Sequence, residues 1–230
     1  MRRRTVYRLE RTSLLLAIVV MAGGLWFAWQ TMSPDGLRLP ALGLDVVPPQ
    51  FSDPAAQGKM IGILAGHMNY DSGAVCPDGL QETEITQAVA RRVIARLRAA
   101  GANVDLLAEK DARLEGYQAD ALLSIHADSC VELSGFKAAR ALASEQPLTE
   151  DKYLRCVYQE YGRASGLPQH LSTVTHNMTQ YYAFNHIDGG TPAVILELGF
   201  LGGDRSVLTT NQDRLAWGIS NAILCFLRDT

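Results

Sequence analysis

The chain has 230 residues, with 21 Lys+Arg against 24 Asp+Glu, 47% hydrophobic and 20% charged residues, and a formal net charge of −3. This is room for one ordinary domain; it excludes a disordered or collagen-like chain, and no global basic excess points to nucleic acid. The average hides a gradient: Arg2, Arg3, Arg4, Arg8 and Arg11 against Glu10 put +4 on residues 1–12, so the remainder carries −7.

After this basic tip, Thr12 to Pro34 run without a charge, and Leu14 to Trp29 are dominated by aliphatic residues, Gly and aromatics. About 20 such residues cross a bilayer. Residues 13–32 are therefore predicted to be a transmembrane anchor, with the arginines cytoplasmic, Trp26 and Trp29 at the far interface, and the rest of the chain outside. The alternative is a cleaved signal peptide, with Ala22-Gly23-Gly24 as the cleavage site; either reading exports the domain. Five of the nine prolines fall in residues 31–58, so residues 33–58 read as an extended tether and residues 59–230 as the folded domain.

Within that domain, Met60–Ala65 is a short apolar run of buried-strand character. From Glu82 to Ala100 apolar residues recur at three and four, with Gly101 just beyond, predicting a helix with one buried face. Val104–Ala108 and Ala121–Ala127 read as strands, Thr149–Ser165 as a helix, Ala193–Leu198 as a buried strand, and residues 211–227 as a final helix. Continuous apolar strands alternating with helices predict an α/β fold: a single domain with a mostly parallel twisted sheet flanked by helices on both faces.

Ligands in such folds bind beyond the carboxyl ends of the strands. His67 lies two residues past the first strand, His126 and Glu197 lie near the ends of two others, and Glu82 opens the first helix. Two imidazoles and a carboxylate can converge on one rim, a common ligand set of catalytic zinc. An ionised carboxylate at the buried position of Glu197 needs something electropositive nearby.

Ile63-Leu64-Ala65-Gly66-His67 followed by Asp71-Ser72-Gly73-Ala74, Gly79-Leu80-Gln81-Glu82, Ser124-Ile125-His126-Ala127 and Pro192 to Leu201 (PAVILELGFL) resemble the zinc-dependent N-acetylmuramoyl-L-alanine amidases of the type-3 family over residues 59 to 228. The resemblance implies that His67, Glu82 and His126 bind zinc and that Glu197 is the catalytic acid/base. It also implies a peptidoglycan or muropeptide substrate, cut at the amide between the lactyl group of N-acetylmuramic acid and L-alanine. Membrane contact is expected through the N-terminal helix; no protein partner is indicated. A catalytically inactive wall-binding scaffold and a zinc peptidase cutting another amide are the alternative readings.

The chain departs from the family pattern at three places. Met68-Asn69 replace two glycines after the first histidine; Asn tolerates positive φ, while Met68 is expected to narrow or line the cleft. Asp128 stands where Asn is usual, either steadying the metal site or competing for the water. The stretch from Lys110 to Leu123 is short, so the helix usual there is expected to be truncated or replaced by a loop near Arg113–Asp120. A Cys76–Cys130 disulfide would tie the cleft rim in an oxidising compartment, whereas Cys156 and Cys225 read as buried small apolar residues. His170, His176 and His186 read as loop residues, with substrate contact the alternative for His176. Tyr181-Tyr182 and Phe184 read as core rather than an aromatic lip.

Overall fold

The structure is a computed structural model, and it describes residues 52–228. The predicted tip, anchor and most of the tether lie outside those residues. Among the described residues no helix is long and apolar enough to cross a membrane.

Five strands form one sheet in the order β2-β1-β3-β5-β4. Strands β1 (Met60–Ala65), β2 (Asn103–Leu107), β3 (Ala121–Asp128) and β5 (Ala193–Phe200) run parallel, and β4 (Lys137–Ala139) pairs antiparallel with β5. The apolar runs are buried on both faces because side chains alternate across the sheet. Ile61, Ile63, Leu123, Ile125, Val194 and Leu196 point into the larger core with the long helices α1 (Glu82–Ala100), α2 (Pro147–Ser165) and α5 (Gln212–Arg228). Leu64, Leu122, Ala193 and Ile195 point to the other face. That second face is covered by short elements: a 3₁₀ turn at Ala112–Leu114, another at Tyr182–Asn185 and the four-residue helix α3 (His176–Thr179).

The crossover from β2 to β3 thus carries one 3₁₀ turn and a loop, as the short Lys110–Leu123 stretch leads one to expect. Tyr117 fills the space: a Cβ on Gly62 would sit 2.8 Å from its ring. Helix α1 has its predicted bounds, closed by Gly101 at φ 105°. Helix α2 starts two residues earlier than predicted, at a proline whose missing N–H costs nothing in the first turn. Strand β4, the short helix α4 (Arg205–Thr210) and α3, read as loop, escaped the sequence reading.

Both pairs of cysteines are joined. Cys76–Cys130 is a disulfide with Cα atoms 5.3 Å apart, as expected. Cys156–Cys225, with Cα atoms 5.8 Å apart, corrects the reading of these two as unpaired apolar residues. Each does lie on a helix face packed against the core, but α2 and α5 lie against one another, so the two faces meet.

Candidate metal centre

His126 and Glu197 are register partners on β3 and β5, and both belong to the face opposite the long helices. Immediately beyond them the ladder slips: Asp128 pairs with Phe200, so β5 carries one extra residue, with Gly199 at φ 152°. A bulge of this kind frees backbone groups from the ladder. Here the Ala127 N–H turns to Glu82 and donates to its Oε1 at 3.0 Å. Glu82 itself opens α1, where the helix dipole favours a carboxylate, and its Oε2 accepts from the Ala74 N–H at 3.1 Å.

His67 sits in the turn after β1 at φ 64°, with Asn69 at φ 59°. Both occupy the left-handed region in which non-glycine residues are uncommon. The turn forms without its family glycines, and Met68 points into the core rather than the cleft. His67 Nε2 is 3.2 Å from Glu82 Oε2, and His126 Nδ1 is 3.1 Å from Glu82 Oε1. One carboxylate therefore bridges two imidazoles that meet edge to face, ring centroids 5.1 Å apart. Donor atoms of His67, Glu82 and His126 all lie within 4.8 Å of one another.

The glycines beside them are there for space. A Cβ on Gly66 would fall 2.6 Å from His126 Nδ1, and one on Gly73, at φ 62°, would fall 2.6 Å from Glu82 Oε2. Real Cβ atoms do not approach so closely, and the close backbone approach is open only to glycine.

The electrostatics are those of an acidic pocket. Burial works against ionised Glu82, but hydrogen bonds with His126 and His67 outweigh it and hold the carboxyl at about 2. The same bond to Glu82 raises His67 to about 9. His126 is raised as well: burial opposes its charge, but Glu82, Glu197 and Glu109 surround it. Burial pushes Glu197 up to about 7, with Glu82 and Asp128 adding repulsion and His126 and Lys137 opposing it. Its Oε2 is buried without a hydrogen-bond partner among the described residues.

Asp128 is not free to compete for a metal or a water. It pairs with Lys137, a 4% exposed cation, whose Nζ also donates to the Thr173 carbonyl at 2.8 Å and to Thr173 Oγ1 at 2.9 Å. Lys137 is the register partner of Glu197 on β4, so the unforeseen strand supplies the counterion that the unusual aspartate requires. Two further groups escaped the sequence reading. Asp71, within a quoted motif but given no role, binds His67 Nδ1. Glu109, from the loop after β2, accepts from the His67 backbone N–H at 3.0 Å. Tyr181 is in the core as expected, but its hydroxyl lies 3.1 Å from His126 Nε2. Tertiary approach alone brings in Glu109 and Tyr181, whereas Asp71 lies four residues after His67 in the same turn.

His170, His176 and His186 do not join the cluster among the described residues. His170 Nδ1 faces Thr173 Oγ1, His186 Nδ1 faces the Tyr182 carbonyl, and His176 is exposed at the start of α3.

Two imidazole nitrogens and a carboxylate, leaving room for further ligands, suit a catalytic metal, zinc first among them. The unpartnered Glu197 oxygen suits a group that receives a proton from water, so the donor set and its surroundings fit the metal that the sequence resemblance implies. Fold and site together define a hydrolytic centre at the carboxyl edge of an α/β sheet. The N-acetylmuramoyl-L-alanine amidase family (Amidase_3) matches residues 61–225, and the chain belongs to this family, whose members act on peptidoglycan. Among curated proteins, YqiI of Bacillus subtilis, whose function is uncharacterised, is 30% identical over 179 residues, 72% of this chain and 81% of that protein. An N-acetylmuramoyl-L-alanine amidase from Clostridium difficile 630 shares the fold with TM-score 0.60 at 16% identity, over 76% of this chain and all of that one. The CwlD amidase from Clostridioides difficile, solved in complex with the GerS lipoprotein, does so with TM-score 0.60 at 19% identity, over 75% and 100% of the two chains.

Proposed function

We propose that this chain is an exported, zinc-dependent amidase that releases stem peptides from N-acetylmuramic acid, with His67, Glu82 and His126 holding the metal and Glu197 moving the proton. Zinc held by that set supplies a Lewis acid for the scissile carbonyl and lowers the pKa of a water toward about 7. The observation that carries the reading is Glu197: a half-buried residue with one enclosed oxygen that has no hydrogen-bond partner among the described residues, raised to about 7, beside His126.

Each residue then has a task. Glu82, whose two oxygens face His67 Nε2 and His126 Nδ1, would share the metal with those nitrogens. Asp71 accepts from His67 Nδ1, which leaves Nε2 as the ligand nitrogen. Glu197 takes a proton from the attacking water and gives it to the departing amine of L-alanine, for which a pKa near the working pH is suited. Lys137 neutralises Asp128 and so keeps a further negative charge from the base.

Export is supported by the two disulfides, which persist in oxidising compartments. The uncharged stretch of residues 13–32, preceded by arginines, supplies the signal or anchor.

Zinc content and cleavage products of the full-length protein in detergent, with and without Glu197→Ala, test the mechanism. The variant is expected to hold zinc and release no stem peptide. Full activity in that variant would remove Glu197 from the mechanism, and an active protein without zinc would remove the metal.

A further inference from the structure

We propose that Glu109 is a positioning residue that locks both metal-binding histidines through a single carboxylate; this rests on the metal site proposed above and deepens it.

Glu109 follows β2 and is 8% exposed. Its own backbone N–H donates to the Met68 carbonyl at 3.3 Å, and its Oε2 accepts from the His67 N–H at 3.0 Å. Backbone and side chain thus clasp the turn that holds His67 at φ 64°, a conformation uncommon for a residue with a side chain. The same Oε2 lies 3.5 Å from His126 Nε2. That nitrogen is on the far side of the ring from Nδ1, which faces Glu82.

A histidine that binds metal through one nitrogen donates the proton on the other to a carboxylate, carbonyl or water, fixing tautomer and ring angle. Glu109 Oε2 stands on that side of the His126 ring at ion-pair distance, with the Tyr181 hydroxyl the nearer acceptor. The Tyr181 hydroxyl, 3.1 Å from the same nitrogen, faces both Glu109 and the ring and extends the contact. With Asp71 on His67 Nδ1, each imidazole then has a carboxylate behind it. Nε2 of His67 and Nδ1 of His126 are left to point at Glu82. Glu82 faces the ligand nitrogens of both histidines, and Glu109 reaches both from behind, His67 through its backbone N–H and His126 through its ring.

The test compares wild-type protein with Glu109→Gln, Glu109→Ala and Tyr181→Phe. Zinc affinity is measured by competition with a chromophoric chelator, and the His126 ring proton on Nε2 is followed by ¹⁵N-resolved NMR in protein stripped of metal. Removing such a supporting group weakens metal binding about 10- to 100-fold. Glu109→Ala is expected to fall in that range, Glu109→Gln, which keeps an acceptor oxygen, to fall less, and Tyr181→Phe to weaken binding less than Glu109→Ala. In the stripped protein the protected Nε2 proton should be present in wild type and lost in Glu109→Ala while the backbone spectrum keeps its dispersion. Zinc affinity within twofold of wild type in a folded Glu109→Ala, or an unchanged ring proton, overturns the proposal. Failure of the underlying metal reading shows differently, as wild-type protein that takes up no zinc, and the ring proton still decides for or against the Glu109 contact.

Discussion

The Cys156–Cys225 disulfide closes a loop with a sequence separation of 69 and staples α2 to α5. In the chain-entropy picture a loop of that length removes about 4 kcal/mol of freedom from the unfolded chain. For a domain of this size each kcal/mol moves Tm by about 2–4 °C, so Cys156→Ala/Cys225→Ala should lower Tm by roughly 8–16 °C. Cys156 is 4% exposed and Cys225 partly buried, so part of the loss is packing where the two sulfurs are removed. A second variant, Cys156→Ala/Cys225→Val, restores volume without the crosslink and should recover only a small part of the fall. Scanning calorimetry of oxidised wild type and both variants measures the shift, and zinc content should stay the same because neither cysteine is near the cluster. A fall below about 3 °C in both variants would refute the reasoning, since a crosslink between two packed helices would then constrain nothing. Cys76–Cys130 makes the contrast. It closes a separation of 54 and ties the loop between His67 and Glu82 to the segment after β3, so Cys76→Ala/Cys130→Ala should cost similar stability and weaken zinc binding as well.

The remaining predictions concern the site. Gly73→Ala places a methyl 2.6 Å from Glu82 Oε2 at φ 62°, and zinc affinity should drop at least tenfold by chelator competition; an unchanged affinity would show that the turn relaxes freely. Lys137→Met leaves Asp128 without its buried partner, which should destabilise the domain by about 3 kcal/mol in urea unfolding, while Lys137→Met with Asp128→Asn should recover most of it. In protein stripped of metal, stability should peak in the mildly acidic range. Glu82, held at about 2, stabilises above its unfolded value of 4.5, and that contribution is lost as pH falls from 4.5 toward 2. Glu197, raised to about 7, favours the fold fully below 4.5 and loses that contribution as pH rises through 7; His67, raised to about 9, favours it below 6.5 and loses its contribution as pH rises through 9. Stripped protein should therefore lose stability steadily from pH 5 to 9 in thermal melts, and zinc should flatten that slope; a stripped protein most stable at pH 9 would contradict the arrangement of charges.

The parts of the fold legible in the sequence are those that bury a long regular pattern. Strands β1, β3 and β5 are mostly apolar, broken chiefly where β3 and β5 carry site residues, and α1 repeats its apolar residues at three and four over 19 residues. Strand β4 has three residues, one of them a lysine whose burial depends on Asp128 and Thr173, and a propensity argument reads it as loop. His67, Glu82, His126 and Glu197 were found because a parallel sheet gathers its strand ends at one edge. Glu109 was passed over because it acts on a residue 42 positions away, and Asp71 and Lys137 because a short spacing to His67 or Asp128 does not reveal a contact. The pairing of Cys156 with Cys225 was missed for a related reason: helical periodicity shows that a residue faces the core, not which helix faces it there.

The central claim is settled most directly by product analysis. Zinc-loaded full-length protein in detergent is incubated with purified muropeptides, and the products are separated and weighed by mass spectrometry. The account predicts free stem peptides with an L-alanine amino terminus and glycan that keeps its lactyl carboxylate, with both products absent for Glu197→Ala. Cleavage within the stem peptide, or intact muropeptide with zinc-loaded wild-type protein, would contradict it.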